Sequence, residues 1–313
     1  MLYEILYPAL YLGSLTRIRG TRLEPRGAQF RALKSRLRRL DVHVLTAISP
    51  FAGAWLALHR FERTSVPLRR AGAQPVDRIL QTEKGRLAIR FSGDEQAPRV
   101  LLIHGWNADS SMILPLAAAL TRSGFRVVYP DLPGDGASTS SPMSFHEKGR
   151  QIARYCAQYG PFHCVIGHSA GGLIAAIALE EGLPAHRFVT ICAPQSLTSL
   201  LQAYLVQTGA PECLRHEVQH AYWKLRRRSP CDAGPATFAR LQDKLLVVHA
   251  NSDWQVLVEE ARSIVQAAPR AKAIFLDDCN HRSVLDHPGL IAGITAFLGG
   301  GAEPSRWTDA DAV

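Results

Sequence analysis

The length, composition and charge of the chain exclude several classes of protein. Its 313 residues, 47% of them hydrophobic, are enough to bury the core of one large domain, and such a composition is not that of a disordered chain. No apolar run reaches the ~20 residues that a membrane-spanning helix needs. The net charge of +9 is unevenly placed, because residues 1–99 hold 18 Lys and Arg against 8 Asp and Glu. The excess of positive charge therefore lies in the N-terminal third.

Residues 1–85 are predicted to form a basic helical arm. The opening apolar run contains Glu4 and Pro8, which are not typical of an export signal. Between residues 29 and 49 apolar side chains step by three and four with arginines among them, which is the pattern of an amphipathic helix. Two interpretations stay open: the arginines face water while the helix packs on the protein, or the basic face contacts an anionic membrane. No nucleic-acid-binding module is recognisable, so nucleic acid is not an expected partner.

Strands and helices alternate from residue 86 to residue 298, which predicts an α/β fold with a doubly wound, mostly parallel sheet. The predicted strands are Arg86–Phe91, Val100–His104, Arg126–Tyr129, Phe162–Ile166, Phe188–Cys192, Leu245–His249 and Ala273–Leu276. The first alternates in polarity, which favours an antiparallel edge strand, and the second is continuously apolar, as in a strand buried on both faces. Residues 299–313 are predicted to be a flexible tail.

The alternation stops at about residues 194–243. Two segments there, TSLLQAYLV and CLRHEVQHAYWKLRRR, are predicted to be helices. An insertion that follows a strand's carboxyl end lies where doubly wound sheets bind ligands, so we interpret it as a small helical cap. Tyr204, Tyr222 and Trp223 either line the pocket or attach the cap to the rest of the domain.

The cysteines do not predict a metal centre. The chain has six, with no C-x-x-C pair and no ligand spacing: Cys156, Cys164, Cys192, Cys213, Cys231 and Cys279. We expect reduced, buried thiols in a cytoplasmic protein, with neither a metal nor an organic cofactor.

The turn Gly167-His168-Ser169-Ala170-Gly171 carries the strongest functional signal. It follows an apolar strand and opens an alanine-rich helix, which is the context of a nucleophile elbow. Ser169 is the predicted nucleophile, and Gly167 and Gly171 would let the strand and the helix approach closely. The competing interpretation is a glycine-rich turn that only packs tightly, so the partners of the serine decide between the two.

Those partners are predicted at the ends of two later strands. A serine hydroxyl needs a base to take its proton, and the base needs an acid to orient it. Asp253 lies on the loop after Leu245–His249, and His281 lies on the loop after the last strand. Three strand ends thus present a nucleophile, an acid and a base at one edge of the sheet. His168, beside the nucleophile, is predicted to be a pocket wall or a packing residue.

The developing negative charge of an acyl-transfer reaction needs two backbone donors. The N–H of Ala170, at the start of the elbow helix, is predicted to be one. The other is expected from the turn after the strand Val100–His104, and we choose the N–H of Trp106. Gly105 would let this backbone approach the substrate, and the Trp106 indole is either pocket wall or core.

These motifs resemble those of the α/β-hydrolase superfamily in order and spacing. The similar segments are HGW at 104–106, DLPGDGAS at 131–138, GHSAGG at 167–172, the Asp253 loop and NHRSVL at 280–285. The chain looks most like the bacterial esterase and lysophospholipase-like branch. It departs from the pattern at Asp135, where a histidine is frequent, and at residues 278–280, which replace a glycine-containing lead-in to the histidine.

The resemblance implies a serine hydrolase that cleaves carboxylic esters through an acyl-enzyme, a carboxylesterase or a lipase- or lysophospholipase-like enzyme, with a small-molecule ester as its substrate. Thioesters and amides are alternative substrates, since acyl transfer to serine does not distinguish them at the level of these motifs. A different class also stays open, a ligand-binding or scaffold protein of the same fold with little turnover. We expect a cytoplasmic protein, with peripheral membrane contact in the case that the arm binds lipid. The oligomeric state is not encoded in these motifs.

Overall fold

The computed structural model describes residues 40–64, 75–140 and 142–299. The chain divides into two compact units, one formed by Met1–Phe61 with Leu201–Arg227 and the other by Glu62–Leu200 with Arg228–Val313. The predicted arm up to residue 39 and the predicted tail from residue 300 lie outside the described residues. No helix in the described part of the chain has both the length and the apolar content that crossing a bilayer demands.

The second unit is built on one sheet, to which the described residues contribute nine strands. The strands are β1 (Arg78–Thr82), β2 (Gly85–Ser92), β3 (Arg99–Ile103), β4 (Arg126–Pro130), β5 (Thr139–Ser140), β6 (Cys164–His168), β7 (Phe188–Ile191), β8 (Leu245–Ala250) and β9 (Lys272–Leu276). Their order is β1-β2-β4-β3-β6-β7-β8-β9, with β5 beside β2. All pairs from β4 to β9 in this order are parallel. The predicted doubly wound, mostly parallel sheet is confirmed.

Helices occupy the connections between the parallel strands. The α-helices with bounds in the described residues are α1 (Pro50–Glu62), α2 (Leu114–Arg122), α3 (Phe145–Cys156), α4 (Ala170–Glu180), α5 (Leu197–Thr208), α6 (Leu214–Arg226), α7 (Pro235–Leu241), α8 (Val258–Ala267) and α9 (Pro288–Leu298). One apolar core joins α2 and α9 to a face of the sheet that includes Val100 and Leu102. Because side chains alternate along a strand, Leu101 and Ile103, also fully buried, point to the other face. Both faces of β3 are therefore covered, as its continuous apolar run predicts.

The edge of the sheet differs from the prediction. The strand predicted at Arg86–Phe91 is antiparallel to its neighbours, but it is not the edge, because β1 pairs with it through the register Arg78↔Ile89. The sequence of β1, RILQT, is short and largely exposed, so its alternation is too brief to indicate a strand. A short, polar edge strand is common in proteins, because it disfavours pairing of the unpaired backbone groups at the sheet edge with another chain.

The first unit is helical in its described part. Residues 40–48 are helical, and the rest of the helix predicted at 29–49 lies outside the described residues. Arg60 of α1 forms an ion pair with Asp41, and the ring of Tyr204 packs 5.2 Å from that of Phe61. Tyr222 is fully buried, whereas Trp223 is half exposed. The two predicted helices of the insertion are present as α5 and α6, and their role as a cap stays a prediction.

Candidate active site

Ser169 occupies a strained backbone conformation between β6 and α4. Its φ of 56° and ψ of −134° lie in a region that side-chain-bearing residues rarely adopt. Two hydrogen bonds hold it there: its N–H donates to the carbonyl of Ile191 over 2.8 Å, and its own carbonyl accepts from Gly172 over 2.9 Å. The chain therefore turns sharply at the serine.

Glycine is required on both sides of this turn. A Cβ at Gly167 would lie 2.6 Å from the Cα of Gly172, and one at Gly171 would lie 2.4 Å from the carbonyl oxygen of His104. Real Cβ atoms do not approach backbone so closely. Gly167 therefore lets β6 meet α4, and Gly171 lets α4 meet the backbone at the end of β3. The two glycines explain how the serine reaches the carboxyl edge of the sheet.

Ser169, His281 and Asp253 form one chain of hydrogen bonds. The Nε2 of His281 lies 2.9 Å from the Ser169 hydroxyl, and its Nδ1 lies 2.6 Å from Oδ2 of Asp253. An ionised carboxylate only accepts, so the proton of the neutral ring is assigned to Nδ1, and Nε2 accepts from the hydroxyl. Asp253 and His281 are buried, with 4% and 6% of their surface exposed. The three side chains, far apart in sequence, thus meet at one edge of the sheet.

Asp253 is held in its ionised form. Burial alone would raise its pKa, but the hydrogen bond from His281 and those from two backbone donors outweigh burial, and the pKa of this carboxyl lies below its usual value. The two donors are the N–H groups of Gln255 and Val256, at 2.8 and 3.1 Å from Oδ1. One oxygen is thus fixed by the loop, and the other is left for the histidine.

His168 supports the loop that carries His281. Its Nε2 donates to the backbone carbonyl of His281 over 2.8 Å, and the two ring centroids are 4.8 Å apart. Burial, with the neighbouring His281 ring, lowers the pKa of His168 to about 3, so this ring is neutral near pH 7. The sequence suggested only a wall or a packing residue, because a contact with a loop 113 residues away leaves no local pattern.

Cys192 and His249 flank the acid, and the sequence placed neither of them at the site. Cys192 ends β7 with a φ of 48°, and its Sγ, a carboxylate oxygen of Asp253 and a ring nitrogen of His281 lie within 4.8 Å of one another. His249 donates Nε2–H to the carbonyl of Val256 over 2.9 Å. Burial raises the pKa of the Cys192 thiol, which keeps it protonated. This group therefore suits hydrogen bonding around the acid better than metal ligation, which needs a thiolate.

The turn after β3 passes directly beside the serine. A Cβ at Gly105 would lie 3.1 Å from the Cβ of Ser169. His104, whose pKa is lowered by burial, donates Nδ1–H to the carbonyl of Gly105 and accepts at Nε2 from the N–H of Leu132, both over 2.8 Å. Because C=O and N–H point in opposite directions across a trans peptide, this bond also fixes the direction of the Trp106 N–H.

The second expected donor, the N–H of Ala170, belongs to the first residue of α4. The first four N–H groups of a helix have no partner within it, and they carry the positive end of the helix dipole. Ala170 also follows Ser169 in sequence, so its N–H lies next to the hydroxyl. The helix itself therefore leaves the N–H of Ala170 without an intrahelical acceptor, next to the serine hydroxyl.

The loop of residues 131–138 is braced by buried charges. Asp131 accepts from Arg90 over 2.9 Å and from the N–H groups of Ser110 and Ala137 over 2.8 Å each, and the pKa of Asp131 is lowered because these bonds outweigh burial. Asp135, at the position where related proteins often have a histidine, lies 3.6 Å from Nζ of Lys148. Asp131 thus braces this loop, and Asp135, the departure from the family motif, forms a buried ion pair with Lys148.

The order of strands, the turn at Ser169 and the loops at the carboxyl edge can be compared with known families. A model of the alpha/beta hydrolase family matches residues 100–294, which is more than half of the chain. The chain belongs to the alpha/beta hydrolase family. The family resemblance predicted from the motifs is thus confirmed.

Individual relatives are distant. The 30 kDa subunit of magnesium-chelatase from Rhodobacter capsulatus is 33% identical over 98 residues, which cover 30% of this chain and 34% of that protein, so the chain spans about a third of this curated relative. A hydrolase from Pseudomonas aeruginosa PA01 superposes with a TM-score of 0.55 and 20% identity, over 71% of this chain and 98% of that one. An esterase from Rhodococcus sp. ECU1013 gives 0.54 and 18%, over 72% and 99%. At these identities the structural similarity shows the fold alone.

Proposed function

We propose that this alpha/beta hydrolase is a serine hydrolase that cleaves carboxylic esters through an acyl-enzyme. The observation that carries the proposal is the hydrogen-bonded chain from Ser169 through His281 to Asp253, with distances of 2.9 and 2.6 Å. A nucleophile, a base and an orienting acid in this order are the three groups that acyl transfer to serine requires. The likeness in fold to an esterase supports esters as the first substrates to test.

In the proposed first step the Ser169 hydroxyl attacks the ester carbonyl while Nε2 of His281 takes its proton. The imidazolium that forms keeps its Nδ1–H bond to Asp253, whose lowered pKa keeps the carboxylate ionised at neutral pH. The oxyanion would be held by the N–H groups of Ala170 and Trp106, and the loss of one such donor typically costs about 3 kcal/mol of transition-state stabilisation.

The tetrahedral intermediate then collapses to the acyl-enzyme. The bond to the alcohol oxygen breaks, and Nε2 of His281 gives its proton to the leaving alcohol. Water enters, loses a proton to the same nitrogen and attacks the acyl carbonyl. The bond from the acyl carbon to Oγ of Ser169 then breaks, Nε2 returns the proton to Oγ, and the carboxylic acid leaves. Every step uses side chains and backbone of this chain together with water.

Hydrolysis of 4-nitrophenyl esters with acyl chains of two to twelve carbons tests the proposal. Wild type should release nitrophenol with saturation, and Ser169→Ala should lose about 10⁴-fold or more in kcat. Ser123→Ala, which removes a hydroxyl at the end of α2, is the control and should keep full activity. Parallel assays with a thioester and an anilide of the best acyl chain rank the alternative substrates. A folded wild type that turns over none of them would favour the ligand-binding alternative.

Contact between the basic N-terminal arm and an anionic membrane stays a prediction. Leu40, Val44 and Ile48 are spaced by four residues on helical residues 40–48 and are all exposed, which would suit an interfacial helix. Co-sedimentation with vesicles that contain anionic lipid, at low and at high salt, measures this contact. Binding that requires both low salt and anionic lipid is the expected result, and no binding at low salt would contradict it.

A further inference from the structure

A cavity of about 220 Å³ lies between two segments of the second unit. Five of its lining residues come from positions 107–112, which follow β3, and three come from positions 282–286, which follow the loop of His281. The proposed catalytic groups are not among these residues. The cavity is therefore a separate space, and its function has to be inferred from its own side chains.

Both walls of the cavity begin one residue away from the proposed catalytic groups. Asn107 directly follows Trp106, the expected oxyanion donor, and Arg282 directly follows His281. Consecutive Cα atoms are 3.8 Å apart across a trans peptide. Both walls of the cavity are therefore continuous, through one peptide bond each, with residues of the proposed site.

Arg282 is the one cation that lines the cavity. Its backbone N–H donates to Oδ1 of Asn280 over 3.0 Å, but within residues 40–64, 75–140 and 142–299 its guanidinium has no ion pair and no hydrogen bond. Two other exposed arginines of the second unit do form ion pairs, Arg262 with Glu259 at 3.4 Å and Arg270 with Asp243 at 3.8 Å. A guanidinium at a cavity offers several N–H donors to a carboxylate or a phosphate.

Asp109 provides a hydrogen-bond acceptor on the wall of the cavity. It is only 3% exposed, and its Oδ1 accepts from the N–H of Ser111 over 2.9 Å and from the Ser111 hydroxyl. Its Oδ2 is buried and has no donor among the described residues. A carboxylate oxygen without a donor is costly, so Asp109 would be stabilised when its side chain turns this oxygen towards a ligand hydroxyl in the cavity.

The third charged residue of the cavity narrows the choice of ligand. Asp286 is exposed and lines the same space as Arg282, so a purely anionic ligand would meet one cation and two acids. A ligand that combines a negative charge with hydroxyl donors satisfies all three side chains. The guanidinium takes the anion, and the carboxylates take the hydroxyl hydrogens.

We propose that this cavity is a substrate subsite that selects esters carrying a hydroxylated anionic group, either a carboxylate or a phosphate, next to the scissile bond. The inference rests on the proposed esterase function and adds the polar class of its substrate. Arg282 binds the negative charge of that group, and Asp109 accepts a hydrogen bond from its hydroxyl.

Two matched pairs of substrates distinguish the acyl side of the ester from the alcohol side. The acyl pair is the 4-nitrophenyl ester of the C4 carboxyl of malate and 4-nitrophenyl 3-hydroxybutyrate. The first has a carboxylate where the second has a methyl group. The alcohol pair is butyryl glycerol phosphate and butyryl glycerol. Wild type should prefer the anionic member of one pair by about tenfold or more in kcat/KM, the size expected for a hydrogen bond between charged groups.

Substitution of the arginine decides the proposal. In Arg282→Gln the preference should fall to about one, and in Arg282→Glu it should reverse, whereas the control Arg262→Gln changes the net charge equally and should keep the wild-type preference. An unchanged preference in Arg282→Gln, or no preference in wild type for either pair, would overturn the subsite. Failure of the wild type to cleave any of the four esters, in a sample shown to be folded, would instead overturn the esterase proposal on which the subsite rests.

Discussion

The strained backbone at Ser169 predicts that a side chain at this position lowers the stability of the folded protein. At a φ of 56° and a ψ of −134° a residue with a Cβ lowers the free energy of unfolding by about 1–3 kcal/mol, whereas glycine adopts such angles freely. Glycine in turn destabilises by about 0.5–1 kcal/mol through the entropy of the unfolded chain. Ser169→Gly should therefore be more stable than Ser169→Ala by about 1 kcal/mol, although both variants lack the hydroxyl.

Equilibrium unfolding in urea or by heat measures this difference. For a chain of 313 residues, with an unfolding entropy of about 2.1 cal/mol/K per residue, a difference of about 1 kcal/mol corresponds to roughly 1.5 °C in Tm. Ser263, in the middle of α8, provides the control pair, because at a helical position Ser263→Gly should be less stable than Ser263→Ala by about 1 kcal/mol. The account requires opposite signs at the two serines. If glycine is the less stable choice at both positions, the turn at Ser169 is not strained and this reasoning is refuted.

Three further substitutions test the surroundings of the serine. The pKa of His168 is lowered from 6.5 to about 3, so the unfolded state binds a proton at this residue first as the pH falls below 6.5. Between pH 7 and pH 5 the free energy of unfolding of wild type should therefore fall by about 2 kcal/mol more than that of His168→Gln. An equal fall in both proteins, measured by urea unfolding at the two pH values, would contradict this. Gly171→Ala should lower the free energy of unfolding by about 3 kcal/mol or more, because its Cβ would lie 2.4 Å from a carbonyl oxygen. The control Gly182→Ala, whose Cβ would have no atom within 4 Å, should lower it by only about 1–2 kcal/mol, as measured by thermal unfolding. Asp253→Asn should lower kcat by about 10⁴-fold in ester hydrolysis without unfolding the protein, and a loss below tenfold would contradict its role in orienting His281.

The sequence predicts the sheet well where its signals are long and local. Continuous apolar runs such as the one in β3 predict strands buried on both faces, and glycines on both sides of Ser169 predict a close meeting of β6 and α4. The short strand β1 escapes prediction, because five largely exposed residues contain too little alternation to stand out from a loop. Its position becomes visible only through its pairing with β2.

Part of the candidate site can likewise be predicted from the sequence, and part cannot. The order of serine, acid and histidine at three strand ends can be predicted, since parallel strands bring their carboxyl ends to one edge of the sheet. The contact of His168 with the His281 backbone and the place of Cys192 beside Asp253 cannot, because each depends on how two distant loops fold over the edge. The cavity at Arg282 is likewise formed by segments far apart in sequence. The position of Arg282 next to His281 in the chain therefore does not predict that its side chain lines a cavity.

The most direct test of the central claim is the mass of the protein after treatment with a fluorophosphonate, which reacts covalently with an activated serine. Wild type should gain one adduct, located by peptide sequencing to Ser169, and Ser169→Ala should gain none. His281→Ala should react far more slowly, because its serine lacks the base. An adduct on another residue, or equal labelling of wild type and Ser169→Ala, would contradict the proposal that Ser169 is the nucleophile.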